Sequence, residues 1–161
     1  MADGTISRWV EDGLAVIDRL CTGPVVLVGS SMGGWVALRA AVARPDRIAG
    51  LLLIAPAPDF THWGYGASLS ATERRAMAAQ GYIERPSAYS PEPTRITRRL
   101  LEDGEANLML DRPITIAAPV RILHGQQDPD VPWRLALDLA ERITSPDVRL
   151  HLLKDGDHRL S

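Results

Sequence analysis

Three stretches of this 161-residue chain carry side chains able to do covalent chemistry together. The first, Gly29-Ser30-Ser31-Met32-Gly33, fits Gly-x-Ser-x-Gly with Ser31 at its centre. The second is His124-Gly125-Gln126-Gln127-Asp128-Pro129-Asp130, and the third is Asp155-Gly156-Asp157-His158. A hydroxyl is a poor nucleophile until a base takes its proton, and an imidazole serves best as that base when a carboxylate orients it. Ser31 as nucleophile, His158 as base and Asp128 as orienting acid supply all three parts. The N–H of Met32 is the expected donor to the negative oxygen that attack creates.

Each of these residues also has a plainer reading. An aspartate in a proline-rich loop is usually a turn residue, and a histidine near the end of a chain is usually solvated. Ser30 is a second hydroxyl, off the centre of the pattern, and Asp59 is an alternative acid. Asp130, just before Pro132, suits a helix cap better than catalysis. His124 reads as packing or loop support, while His151 and His62 lie inside a strand and in a middle segment. The three types in the order serine, acid, histidine outweigh the plainer readings.

For these side chains to meet, the backbone must bring them to one edge. Trp9, Val10, Leu14, Ile17 and Leu20 recur at helical spacing, predicting a helix over about 6–20 that Thr22-Gly23-Pro24 ends. Val25 to Val28 is a short apolar run, as in a strand buried on both faces. A helix is expected from Trp35 to Ala43 and a second strand from Ile48 to Ala55. Strand, helix, strand at this spacing implies parallel pairing. A strand over Val120–Leu123, a helix over Pro132–Ile143 and a strand over Val148–Leu153 continue the rhythm. Ser31, Asp128 and His158 each follow a strand, at the edge where open α/β sheets hold ligands. The small residues around Ser31 are expected to let the chain turn sharply there, a nucleophile elbow whose following helix favours negative charge.

The segment 57–112 breaks the rhythm and reads as a helical insertion. Ser70-Ala71-Thr72-Glu73 is a capping box opening a helix to about Gln80. A second helix is expected over about Pro93–Glu102, with Gly104 just past its end. The fold class is therefore α/β, about four parallel strands with helical crossovers and a helical cap inserted between the second and third.

Hydrophobic residues make up 45% of the chain and charged ones 24%, with a net charge of −2. That is ordinary for a soluble domain and supplies no field to recruit nucleic acid or an anionic membrane. Arg74-Arg75 and Arg98-Arg99 read as solvated helix faces. No apolar run approaches the roughly 18 residues of a membrane span. Cys21 is the only cysteine, and the start MADGTISRW lacks a secretory leader's pattern, so a reducing, cytoplasmic location is expected. No ligand cluster at metal spacing and no Walker-type loop occurs, so no metal and no cofactor is expected.

Gly29–Trp35 (GSSMGGW), Leu123–Trp133 (LHGQQDPDVPW) and Asp155–Arg159 (DGDHR) resemble the α/β-hydrolase superfamily. More closely they are similar to its acyl-protein thioesterase and acyl-glucuronide esterase branch, and ERPSAYS and ITRRLLEDG in the insertion share the likeness. The resemblance implies the same roles for Ser31, Asp128, His158 and Met32, with acyl thioesters or carboxylic esters as small-molecule substrates and the insertion as a lid. Phe60, Trp63, Tyr65, Leu69, Tyr82 and Tyr89 would then line an acyl channel or form the insertion's own small core. Against the family pattern the chain reads as a fragment, without the strands and oxyanion loop before its first helix and without a last helix. From that follow an apolar sheet face left uncovered, Ser31's strand at the sheet edge, and turnover reduced roughly 10²–10³-fold by a missing oxyanion donor. The alternative is a weak or inactive hydrolase-like fragment that acts as a binding or association module, taking a partner or apolar ligand through the bare face.

Overall fold

A computed structural model describes residues 4–87 and 90–160. The chain divides into two compact units, residues 4–9 with 59–108, and residues 10–58 with 109–160. The larger is built on a four-stranded sheet in the order β1 (Val25–Ser30), β2 (Ile48–Ile54), β5 (Val120–Gly125), β6 (Val148–Leu153). All its pairings are parallel. Helix α1 (Ile6–Leu20) precedes the sheet, α2 (Met32–Ala43) links β1 to β2, and α5 (Arg134–Arg142) links β5 to β6.

Register decides where the loops emerge. Ser30 pairs with Ile54, Ile54 with Leu123, and Gly125 with Leu153. The carboxyl ends of the strands thus align to within a residue or two, and the loops leaving β1, β5 and β6 share one rim. Behind the rim, Trp35 and Leu38 of α2, Leu53 of β2, Val120 and Ile122 of β5 and Leu139 of α5 are completely buried. Burying an aliphatic or aromatic side chain stabilises by about 1.5–3 kcal/mol, so this apolar layer holds the rim in place.

Among the described residues β1 lies at one end of the sheet order, and on one of its faces Val26 is 62% and Val28 64% exposed. Two helices begin at other residues than their sequence spacing indicates. α2 starts at Met32, directly after the turn, and α5 starts at Arg134, after a tight turn in which the Leu135 N–H donates to the Pro132 carbonyl.

The smaller unit corrects the purely helical reading of the insertion. It contains a π-helical turn (Thr61–Gly66), α3 (Ala71–Gln80), α4 (Arg98–Ala106) and an antiparallel pair of short strands, β3 (Tyr82–Arg85) and β4 (Thr94–Thr97). The capping box holds: the Glu73 N–H donates to Ser70 Oγ at 3.2 Å and the Ser70 N–H to Glu73 Oε2 at 2.8 Å. The second helix starts later than expected because residues 94–97 pair as a strand, and Thr97 Oγ1 then caps α4 by accepting from the Leu100 N–H at 3.1 Å. Gly104 does not stop that helix. It lies inside α4, where any side chain would collide with Thr61.

Met77, Ile83 and Ile96 form a small core in this unit, with Tyr65 and Leu69 packed against it. Phe60 meets Tyr65 edge to face at 5.5 Å between ring centres, and Tyr82 lies under the Arg95 guanidinium at 4.2 Å. Several aromatic residues of the insertion therefore serve its own packing; Tyr89 lies outside the described residues. Arg74-Arg75 and Arg98-Arg99 are exposed, as read from the sequence. Among the described residues no helix is long and apolar enough to cross a membrane.

Candidate active site

Ser31 sits between β1 and α2 with φ +52° and ψ −123°, a backbone conformation that side-chain-bearing residues rarely adopt. Three hydrogen bonds hold it there. Its N–H donates to the Ile54 carbonyl at 2.9 Å, and its carbonyl accepts from the N–H groups of Gly34 at 2.9 Å and Ala57 at 3.0 Å. The tight approach behind the turn falls on Gly29 and Gly34. A Cβ on Gly29 would collide with the Gly33 carbonyl, and one on Gly34 would lie 2.8 Å from Pro56 Cβ. Gly33, the last glycine of the sequence pattern, has open space around it, so the steric need expected there belongs to its neighbour Gly34.

On the same rim, His158 Nε2 lies 3.1 Å from Ser31 Oγ and His158 Nδ1 lies 2.8 Å from Asp128 Oδ2. The Asp128 side chain is fully buried, and that of His158 is 15% exposed. The other Asp128 oxygen, Oδ1, accepts from the N–H groups of Asp130 at 2.8 Å and Val131 at 2.9 Å. Backbone hydrogen bonds tie the two loops together, from the Gln126 N–H to the Leu153 carbonyl at 2.8 Å and from the Gln127 N–H to the Gly156 carbonyl at 3.0 Å. Gly125 and Gly156 pass so closely that a side chain at Gly125 would collide with the Gly156 carbonyl.

The structure thus brings Ser31, Asp128 and His158 together, and the rival residues take other places. Ser31, not Ser30, meets the imidazole. Asp59 is buried in the smaller unit, its carbonyl accepting from the N–H groups of His62 and Trp63. His62 pairs with Glu105 at 2.9 Å, and His151 is exposed on β6. Asp130 is not the cap of α5, because that helix begins at Arg134 behind Trp133 with no side-chain cap. Met32 is the first residue of α2, the position whose N–H has no partner within its own helix.

Two residues at the site make contacts that sequence pattern did not bring out. Asp157 Oδ1 accepts from the N–H groups of Arg159 at 2.9 Å and Leu160 at 2.8 Å, folding the chain back just beyond His158. His124 is completely buried against Asp128, with Nε2 3.2 Å from Oδ2. The Asp-x-x-Leu spacing after Gly156 was a local turn signal for the first; the second fits its reading as packing or loop support, and only its contact with Asp128 was unmarked.

Potential metal-binding atoms of Asp128, Asp130 and His158 lie within 4.8 Å of one another, the one such group among the described residues. The 2.8 Å contact between Asp128 and His158 and the two N–H donors on Asp128 Oδ1 account for this closeness as an acid–base pair.

A parallel sheet with helical crossovers and loops gathered on one rim defines a class of fold, and comparison with known proteins agrees. The chain belongs to the alpha/beta hydrolase family, whose profile matches residues 2–161. It is 40% identical over 161 residues to the palmitoyl-protein thioesterase ABHD10, mitochondrial, of Mus musculus, covering 99% of this chain and 54% of that protein. Among solved structures, a protein from Agrobacterium vitis S4 superposes with a TM-score of 0.93 at 50% identity, covering 99% of this chain and 63% of that one. The mouse alpha/beta hydrolase domain-containing protein 10 superposes with a TM-score of 0.87 at 40% identity, covering 99% and 64%. The chain spans about half the length of the curated relatives named here. The cytoplasmic expectation is overturned by these relatives, since the mouse, orangutan, cattle and human proteins are all named mitochondrial. A single cysteine and a weak net charge speak to redox conditions and solubility, and neither encodes an address.

Proposed function

We propose that this chain carries the reacting residues of a serine hydrolase that cleaves carboxylic esters or acyl thioesters through an acyl-enzyme. The observation that carries the reading is the unbroken relay from Ser31 Oγ to His158 (3.1 Å) and from His158 to buried Asp128 (2.8 Å). His158 Nε2 takes the hydroxyl proton as Ser31 Oγ bonds the acyl carbon. The carbonyl electron pair moves onto oxygen, where the Met32 N–H and the start of α2 receive it. Collapse of the tetrahedral species breaks the bond to the thiol or alcohol, which leaves with the proton from His158. Water then attacks the acyl-enzyme, giving its proton to His158, and the acid departs as Ser31 Oγ regains a proton. Asp128 stays a carboxylate and holds the Nδ1–H through both halves. Likeness to palmitoyl-protein thioesterases favours acyl thioesters among the substrates.

The test is labelling with a fluorophosphonate probe, expected for the natural chain and absent in Ser31→Ala and His158→Ala. Labelling that survives in Ser31→Ala would overturn the assignment. The second reading, a module that self-associates without turnover, draws on the exposed Val26 and Val28 of edge strand β1. It expects no labelling and a mass that rises with concentration in light scattering.

A further inference from the structure

The steps above leave one buried titratable side chain at the site unused. His124 lies near the end of β5 and is completely buried. Its Nε2 faces two oxygens, the Val131 carbonyl at 3.1 Å and Asp128 Oδ2 at 3.2 Å, while its buried Nδ1 has no hydrogen-bonding partner. A neutral imidazole carries its proton on one nitrogen only. With the proton on Nε2, the ring donates to the Val131 carbonyl and turns the same N–H side toward Asp128 Oδ2. With the proton on Nδ1, a lone pair would face two oxygens and a buried N–H would have nowhere to go. A doubly protonated ring would bury the same orphaned N–H, and leaving such a donor unsatisfied is costly.

We propose that His124 is a positioning residue for Asp128, an Nε2–H imidazole whose donor holds the Val131 carbonyl while the ring packs against the carboxylate. This rests on the reading of Ser31, His158 and Asp128 given above. This donor has two consequences. It ties Val131, where the acid's loop ends, back to the strand from which that loop starts. It also sets Nε2 3.2 Å from Oδ2, so that His124 and His158 Nδ1 flank that oxygen while two N–H groups hold Oδ1.

Two measurements on the full chain test this. In nitrogen-15 spectra, the His124 ring is expected to show hydrogen on Nε2 and none on Nδ1; a proton on Nδ1, alone or with one on Nε2, would overturn the proposal. In fluorophosphonate labelling, His124→Phe is expected to react roughly ten- to a hundredfold more slowly, the cost of leaving the Val131 carbonyl without its donor. His124→Gln, whose amide reaches the place of Nε2, should recover much of that loss. His124→Phe labelling at the natural rate, or His124→Gln no faster than His124→Phe at equal melting temperature, would also overturn it. Labelling that persists in Ser31→Ala would instead overturn the hydrolase reading, and the ring spectra would still decide the protonation of His124.

Discussion

At the scale of single residues, the site depends on strain held in place by hydrogen bonds. Ser31 stays at φ +52° because its N–H and carbonyl are both anchored, to Ile54 on one side and to Gly34 and Ala57 on the other. Asp128→Asn should leave this geometry intact while presenting an amide in place of the charge that steadies a protonated His158. Steady-state kinetics on a p-nitrophenyl ester are expected to show kcat lower by about 10⁴-fold in this variant. The glycines separate in the same way. Gly34→Ala places a methyl 2.8 Å from Pro56 Cβ and 3.1 Å from its Cα, so the turn must shift, at a cost of about 1–3 kcal/mol in urea denaturation. Gly33→Ala meets nothing within 4 Å and sits in the first turn of a helix, so its stability is expected to hold or to rise by up to ~1 kcal/mol.

At the scale of elements, the capping box of α3 links local sequence to pH. The Glu73 carboxyl is held down to about 2, first by the Arg85 guanidinium at 2.8 Å and then by the backbone N–H and hydroxyl of Ser70. Its ordinary value is 4.5. A carboxyl depressed on folding contributes its stabilisation in full above the unfolded value, and that contribution fades as pH falls through the folded one. Thermal melts are therefore expected to show stability falling between about pH 4.5 and about 2, with a shallower fall in Glu73→Gln. A melt of Glu73→Gln as steep as that of the natural chain would remove Glu73 as the cause.

This box was legible because Ser70 and Glu73 bond within four residues, and β6 was legible end to end because Val148, Leu150 and Leu152 alternate with Arg149 and His151. The meeting of Ser31, Asp128 and His158 was legible because each follows a strand of the parallel sheet. The β3–β4 pair was not, since Tyr82–Arg85 and Thr94–Thr97 are four residues each, mostly polar, and pair across the chain between them. The contact of His124 with Asp128 was hidden for a related reason. Its partners, Val131 and Asp128, become neighbours only when the loop after β5 closes.

At the scale of the whole molecule, what the sheet leaves open matters as much as what it covers. In the order β1-β2-β5-β6, β1 pairs along one side only among the described residues, and its other side presents unpaired backbone donors and acceptors. An edge of this kind templates pairing with another chain unless charge or proline interrupts it. Here Val25-Val26-Leu27-Val28 carries neither, and the outward valines of one face are more than half exposed, at 62% and 64%. Uncovered apolar area drives association at roughly 25 cal/mol per Å², so bare edge and bare face act together. Val28→Lys puts a charge on both without touching the buried Gly29 or the Ser31 turn. In light scattering across a concentration series, the natural chain is expected to gain mass with concentration and Val28→Lys to stay near the mass of one chain. Equal masses for the two would mean that this edge is not where copies meet, while an unchanged fluorophosphonate labelling rate in Val28→Lys would separate association from chemistry at the rim.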